Sequence, residues 1–288
     1  MVPALVFSAL IAGSAVARAE DPPKMSADEM RQKVDAVNSL LSNNATSAEG
    51  QAILAAAAVL QGPGSIDKLN DAYKGASHAS PEVQAILAAA AVFSGQGIDK
   101  VNEAYGMLTS GGYKARAIQA ATIVMSGESA VSVGWWYNSA TGNENAKAIL
   151  ASAAAFSGKP VDDMNAFYHV LEGPSERAVL AAASAFTGRR ITGNILDADS
   201  MAAVQDLYTQ TSASTEHARV IVASAAVLSH RPIGDLNDLY LLCDTIGAGR
   251  TAQAKATVAA AAALSGRPIS SLADKKLKGA QFLAIVGS

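Results

Sequence analysis

Two patterns of apolar and polar positions alternate along this chain. The first is apolar on every side: Ala52-Ile53-Leu54-Ala55-Ala56-Ala57-Ala58-Val59 returns 33 residues later as Ala85-Ile86-Leu87-Ala88-Ala89-Ala90-Ala91-Val92. The second has two faces. In Ile66-Asp67-Lys68-Leu69-Asn70-Asp71-Ala72-Tyr73, residues Ile66, Leu69, Asn70 and Tyr73 share one helical face, and Asp67, Lys68 and Asp71 take the other. It returns as Ile98-Asp99-Lys100-Val101-Asn102-Glu103-Ala104-Tyr105. An all-round apolar body predicts a helix buried between neighbours, and a two-faced one predicts a shorter helix with a solvated side.

Both patterns continue. The first is seen again at Ala117–Ala121, Ala148–Ser152, Ala178–Ala182, Val220–Ser224 and Thr257–Ala261, which makes seven copies. The second closes on Tyr73, Tyr105, Tyr137, Tyr168, Tyr208 and Tyr240, at gaps of 32, 32, 31, 40 and 32 residues. The punctuation agrees with helices. Ser80-Pro81-Glu82 offers an N-cap, a proline at the first helical position and an acid in the first turn. Thr46 and Glu49 have capping-box spacing, and Gly62, Gly95, Gly127, Gly158, Gly188 and Gly266 stand where helices of the first kind should end. Self-similarity at this period is the mark of a stacked repeat. The predicted fold is all-α, a right-handed α-solenoid of about seven helix–turn–helix units of roughly 32 residues. Alanine suits it, because small side chains let helices approach to about 8 Å, the lower end of the usual interaxial range.

In length this unit resembles the tetratricopeptide repeat, at about 34 residues. Its first helix carries the alanine run in place of that family's Trp, Leu-Gly and Tyr pattern, and tyrosine closes the second helix instead. The resemblance implies protein or peptide binding on a curved surface.

Composition narrows the picture. Half of the 288 residues are hydrophobic but only 5% are aromatic, which favours close-packed helices over a β-sandwich. Charged residues are 16% of the chain, as extensive burial between units would require. A net charge of −3 supplies no electrostatic footprint for nucleic acid. Residues 1–19 read as a secretory signal. An apolar stretch from Val2 to Val16 leads into Ala17-Arg18-Ala19, a small-x-small pattern, although no Lys or Arg precedes it. A membrane anchor is the alternative, but about 15 apolar residues fall short of the roughly 20 that span a bilayer. The expected plan is a signal at 1–19, a linker and capping helix at 20–46, the repeat array at 47–269 and a capping segment at 270–288, in a periplasmic or secreted protein with no stable transmembrane segment after cleavage. Cys243 is the only cysteine, so no intramolecular disulfide exists, and its Leu241-Leu242 context reads as a buried thiol.

The recurring asparagines Asn38, Asn70, Asn102, Asn165 and Asn237 lie on the buried face, where a neighbouring unit's backbone or a Tyr hydroxyl can satisfy the amide. Departures from the repeat point to function. In the third unit Asn-x-x-Tyr becomes Gly134-Trp135-Trp136-Tyr137, with Trp135 and Trp136 in register with Glu103 and Ala104. An aromatic pair at a surface position anchors a partner or stacks a sugar; alternatively it packs under the loop at 138–145. The fifth unit carries about eight extra residues around Thr192–Ser200, where Asp197 and Asp199 hint at calcium but helix capping by Asp199 or Ser200 suits the segment better. His78, His169, His217 and His230 are scattered without metal-site spacing, and no nucleophile motif or phosphate loop is present. The expected function is a non-catalytic, cofactor-free scaffold for a protein or peptide partner, with Trp135 and Trp136 as binding residues. A binding protein for a peptide, glycan or small ligand in the groove is the alternative.

Overall fold

The computed structural model describes residues 24–38, 45, 47–170, 206–229, 231–246 and 248–265. Every α or β element among them is helical: α1 (Ala27–Asn38), α2 (Ala48–Gln61), α3 (Ile66–Gly75), α4 (Pro81–Ser94), α5 (Ile98–Met107), α6 (Tyr113–Ser126), α7 (Ala130–Ser139), α8 (Glu144–Ser157), α9 (Val161–Val170), α10 (Glu216–Ser229), α11 (Ile233–Ile246) and α12 (Ala252–Leu264), with one 3-10 turn at Pro63–Ser65. The chain is all-α over these residues, as the periodicity predicts. The copy at 178–182, the insertion near 192–200, His230 and the segments 1–19 and 270–288 lie outside the described residues.

Local signals place the helix ends. Gly95, Gly127 and Gly158 adopt left-handed backbone after α4, α6 and α8, as the sequence predicts. The N-cap of α2 is Ser47, whose Oγ accepts from the Gly50 amide at 2.9 Å; Thr46 of the expected capping box lies outside the described residues. Glu49 serves elsewhere: its Oε1 accepts from the Thr251 hydroxyl, 2.8 Å away.

The alanine-rich helices form one row. Helices α2, α4, α6 and α8 pack in succession, α10 packs on α12, and α12 packs on α2. The amphipathic helices form a second layer, α3, α5, α7 and α11 lying against α4, α6, α8 and α12. Burial of the first row is complete around the helix. Ala52 to Ala58 span about two turns and none is more than 3% exposed. Ala148–Phe156 and Ala256–Leu264 are buried in the same way. Among the described residues the first helices therefore present no open apolar trough at mid-length. Alanine makes this possible, since a row of larger side chains would hold neighbouring axes apart.

The α12–α2 contact differs from a simple stack with two distant, capped ends. The row bends until its first and last described helices are neighbours. Helix α1 seals that junction, lying on α12 and α11 and touching α2. Val34 and Val37 are buried in it, and the Met25 amide donates to Oδ2 of the fully buried Asp235 at 3.0 Å. Arg231 Nη1 stands 3.8 Å from the same oxygen. Thus α1 packs into the last repeats as well as onto the first.

Three of the five recurring asparagines are satisfied by a neighbouring unit's backbone, as the sequence suggests, although each is only partly buried. Asn102 Oδ1 accepts from the Ser77 amide at 3.0 Å and its Nδ2 donates to the Gly75 carbonyl at 2.9 Å. Asn165 brackets Thr141 and Ser139 in the same way, and Asn237 brackets Ser212 and Gln210. Each amide ties one unit's second helix to the loop that leaves the previous unit's second helix. The tyrosines pack beside these loops: in the seams closed by Tyr137 and Tyr168, a β-carbon on Gly111 or Gly142 would approach the hydroxyl to within 2.9 Å.

A candidate docking surface on the third unit

Helix α7 departs from its siblings on the side that faces water. Ser129 caps it, its Oγ accepting from the Ser132 amide at 3.0 Å. Val133 and Tyr137 are buried, as Leu69 and Tyr73 are in α3 and Val101 and Tyr105 in α5. This shared inward face fixes how α7 sits. Its outward face follows by helical spacing: Val131 and Trp135, at i and i+4, are 83% and 62% exposed. In α5 the same positions hold Asp99 and Glu103, and Glu103 pairs with Lys100 at 2.8 Å. Helix α7 contains no Asp, Glu, Lys or Arg.

The two tryptophans part company. Trp136 is half-buried and packs against the hydrophobic core, where smaller Ala72 and Ala104 stand in α3 and α5. Trp135 projects from the surface. The loop at 138–145 takes the form seen in other units, with the Ala140 amide donating to the Tyr137 carbonyl at 3.3 Å and Thr141 bracketed by Asn165. Neither a protein-family model nor a curated protein matches this chain.

Two further side chains were missed from the sequence. Val131 replaces the aspartate of Asp67 and Asp99, a register change visible once the units are aligned. Met107, at the end of α5, is 56% exposed. His78 and Tyr113 meet as tilted rings with centroids 4.7 Å apart, and the Arg116 guanidinium lies 4.9 Å from the Tyr105 ring and 5.2 Å from Tyr113. His78 Nδ1 accepts from the Ser80 amide at 2.9 Å. Partial burial, and then the Arg116 charge, hold His78 below the ordinary histidine range.

Other sequence candidates are dispersed. His78, His169 and His217 sit in different units, and among the described residues no three His, Cys, Asp or Glu side chains gather into a possible metal site. Cys243 is buried, donates to the Leu239 carbonyl at 3.2 Å, and has its thiol pushed up to about 12 by burial. No described helix is long and apolar enough to cross a membrane.

Proposed function

We propose that this chain is an exported, non-catalytic scaffold, a right-handed array of about seven helical repeats that docks a protein partner on the outer face of its third unit. The supporting observation is the exchange of a solvated carboxylate face for exposed Val131 and Trp135 on α7, without change to its inward face. An exposed aliphatic and an exposed tryptophan one turn apart form a small apolar patch, and tryptophan is prominent among residues that dominate interface energies. Burying each such side chain contributes about 1.5–3 kcal/mol before the costs of association. The uniform, buried first row supplies rigidity, so the patch is held in place without a partner. Complete burial of that row favours the outer surface over the groove as the place of contact.

The experiment is photocrosslinking in the native envelope, with a photoreactive residue at position 131 and a control at position 99, its equivalent in α5. A discrete protein adduct at 131 that is absent at 99 and abolished by Trp135→Ala supports docking on α7. Identical adducts at both positions, or adducts indifferent to Trp135→Ala, would remove α7 from consideration.

A further inference from the structure

We infer that the seam between α5 and α7 holds a notch for a carboxamide, and that the group it takes is an Asn or Gln side chain of the docking partner. This rests on α7 being the docking surface and names what that surface would recognise.

The chain displays the recognition chemistry in its own seams. In three of them an asparagine of the later unit accepts from a loop amide and donates to the carbonyl two residues earlier: Ser77 and Gly75, Thr141 and Ser139, Ser212 and Gln210. The register is constant, because the intervening residue is in each case the one whose amide bonds back to the tyrosine carbonyl, namely Ala76, Ala140 and Thr211. In the seam after α5 that residue is Leu108, which bonds back to Tyr105. The bracketed groups should therefore be the Thr109 amide and the Met107 carbonyl. The residue in the asparagine register on α7 is Gly134. Among the described residues no protein group bonds the Thr109 amide or the Met107 carbonyl. A β-carbon on Gly134 would meet nothing within 4 Å.

The loop is nonetheless held. Arg116 Nη1 donates to the Leu108 carbonyl at 3.4 Å, Gln119 Nε2 to the Ser110 carbonyl at 3.2 Å, and Glu144 Oε2 accepts from the Gly112 amide at 2.8 Å. These bonds take residues 108, 110 and 112, and by the register of the other seams 107 and 109 are the groups that an asparagine at position 134 would bracket. One donor and one acceptor are thus held by the bonded loop in the register that Gly134 leaves vacant, one residue before exposed Trp135. A primary carboxamide offers the complementary acceptor and donor on one planar group. A carboxylate cannot donate to the Met107 carbonyl, and an aliphatic side chain satisfies neither group.

The test follows the Thr109 amide and the Trp135 indole N–H by NMR in the full chain. The probes are three acetylated, dimethylamide-blocked tripeptides, Leu-Asn-Leu, Leu-Asp-Leu and Leu-Leu-Leu, whose caps carry no primary amide. The expected result is that the Asn peptide shifts both signals and binds about tenfold tighter than either comparison peptide, the ratio expected from about 1.4 kcal/mol of added hydrogen bonding. Gly134→Asn should fill the notch and abolish the Thr109 response, while Gly134→Ala, which adds only a methyl group in open space, should keep it. Equal midpoints for all three peptides, with Trp135 shifting and Thr109 still, would overturn the carboxamide notch and leave apolar docking on α7 intact. No response at either signal from any peptide would overturn both. The Asn-to-Asp comparison is made on the unsubstituted chain, so it stands even if Gly134→Asn fails to fold.

Discussion

Asn102→Val isolates the bracket that joins successive units. Valine has nearly the helix propensity of asparagine, so the substitution within α5 changes the hydrogen bonds and little else in the local backbone energy. It removes the 3.0 Å bond from the Ser77 amide and the 2.9 Å bond to the Gly75 carbonyl. Ser77 and Gly75 are exposed, so water replaces the lost partner and no buried polar group is stranded. The net value of each bond is therefore about 0.5–1 kcal/mol, toward the lower end of the usual range, and the pair is worth about 1–2 kcal/mol. In a chain of this size each kcal/mol lowers Tm by roughly 2–4 °C. Asn102→Ala should lose less, because alanine recovers about 0.6 kcal/mol of helix propensity. Thermal and urea unfolding of both variants give the comparison, and amide exchange at residues 77–80 locates it. If Asn102→Val melts within about 1 °C of the parent, or if exchange accelerates uniformly and not at this loop, the bracket is not a structural tie between units, whatever its geometry.

Ala89→Leu should test the close approach of the first row: Ala89 is fully buried in α4, and the added volume should cost at least about 1–3 kcal/mol by urea unfolding, whereas a neutral result would mean the row is loosely packed. Gly142→Ala should lose about 1–3 kcal/mol, because φ is +95° there and the new methyl would lie 2.8 Å from the Ala146 β-carbon and 2.9 Å from the Tyr168 hydroxyl; an unchanged Tm would refute that tight seam. For Cys243 the thiol titrates near 9 when unfolded and is pushed up to about 12 in the fold, so the neutral form is favoured by folding. Its contribution is intact below about pH 8.5 and is lost between there and 12 at about 1.4 kcal/mol per pH unit, and Cys243→Ala should show a shallower alkaline decline. Rapid alkylation of the native protein at neutral pH would contradict this burial. His78, held low by partial burial and by Arg116, stabilises the fold in its neutral form, so its contribution should fade as pH falls below about 6.5. A proton titration of the His78 ring with a midpoint above that value would reverse the sign.

The described helices and their two kinds of surface were legible in the chain because hydrophobic periodicity is a local property. A run such as Ala52–Val59 is apolar on every side and can only be buried on every side, and Asp67, Lys68 and Asp71 share a face that must meet water. The recurrence of Asn and Tyr at one register likewise announced a repeated tie, since a polar amide on an inward face needs a partner. Three things were decided only in three dimensions. The row bends until α12 meets α2 and α1 is drawn onto Asp235, because small angular offsets between units accumulate and no single unit encodes their sum. The two tryptophans have opposite fates because α7 keeps its inward face, which turns position 136 toward the core and 135 outward. The loss of asparagine at Gly134 was visible in the sequence, but which groups it leaves without that partner was decided when the other seams showed asparagine reaching across 24 to 27 residues to a neighbouring loop. Periodicity specifies which side of a helix is buried, but the backbone groups a side chain will meet belong to another unit, and only packing brings them together.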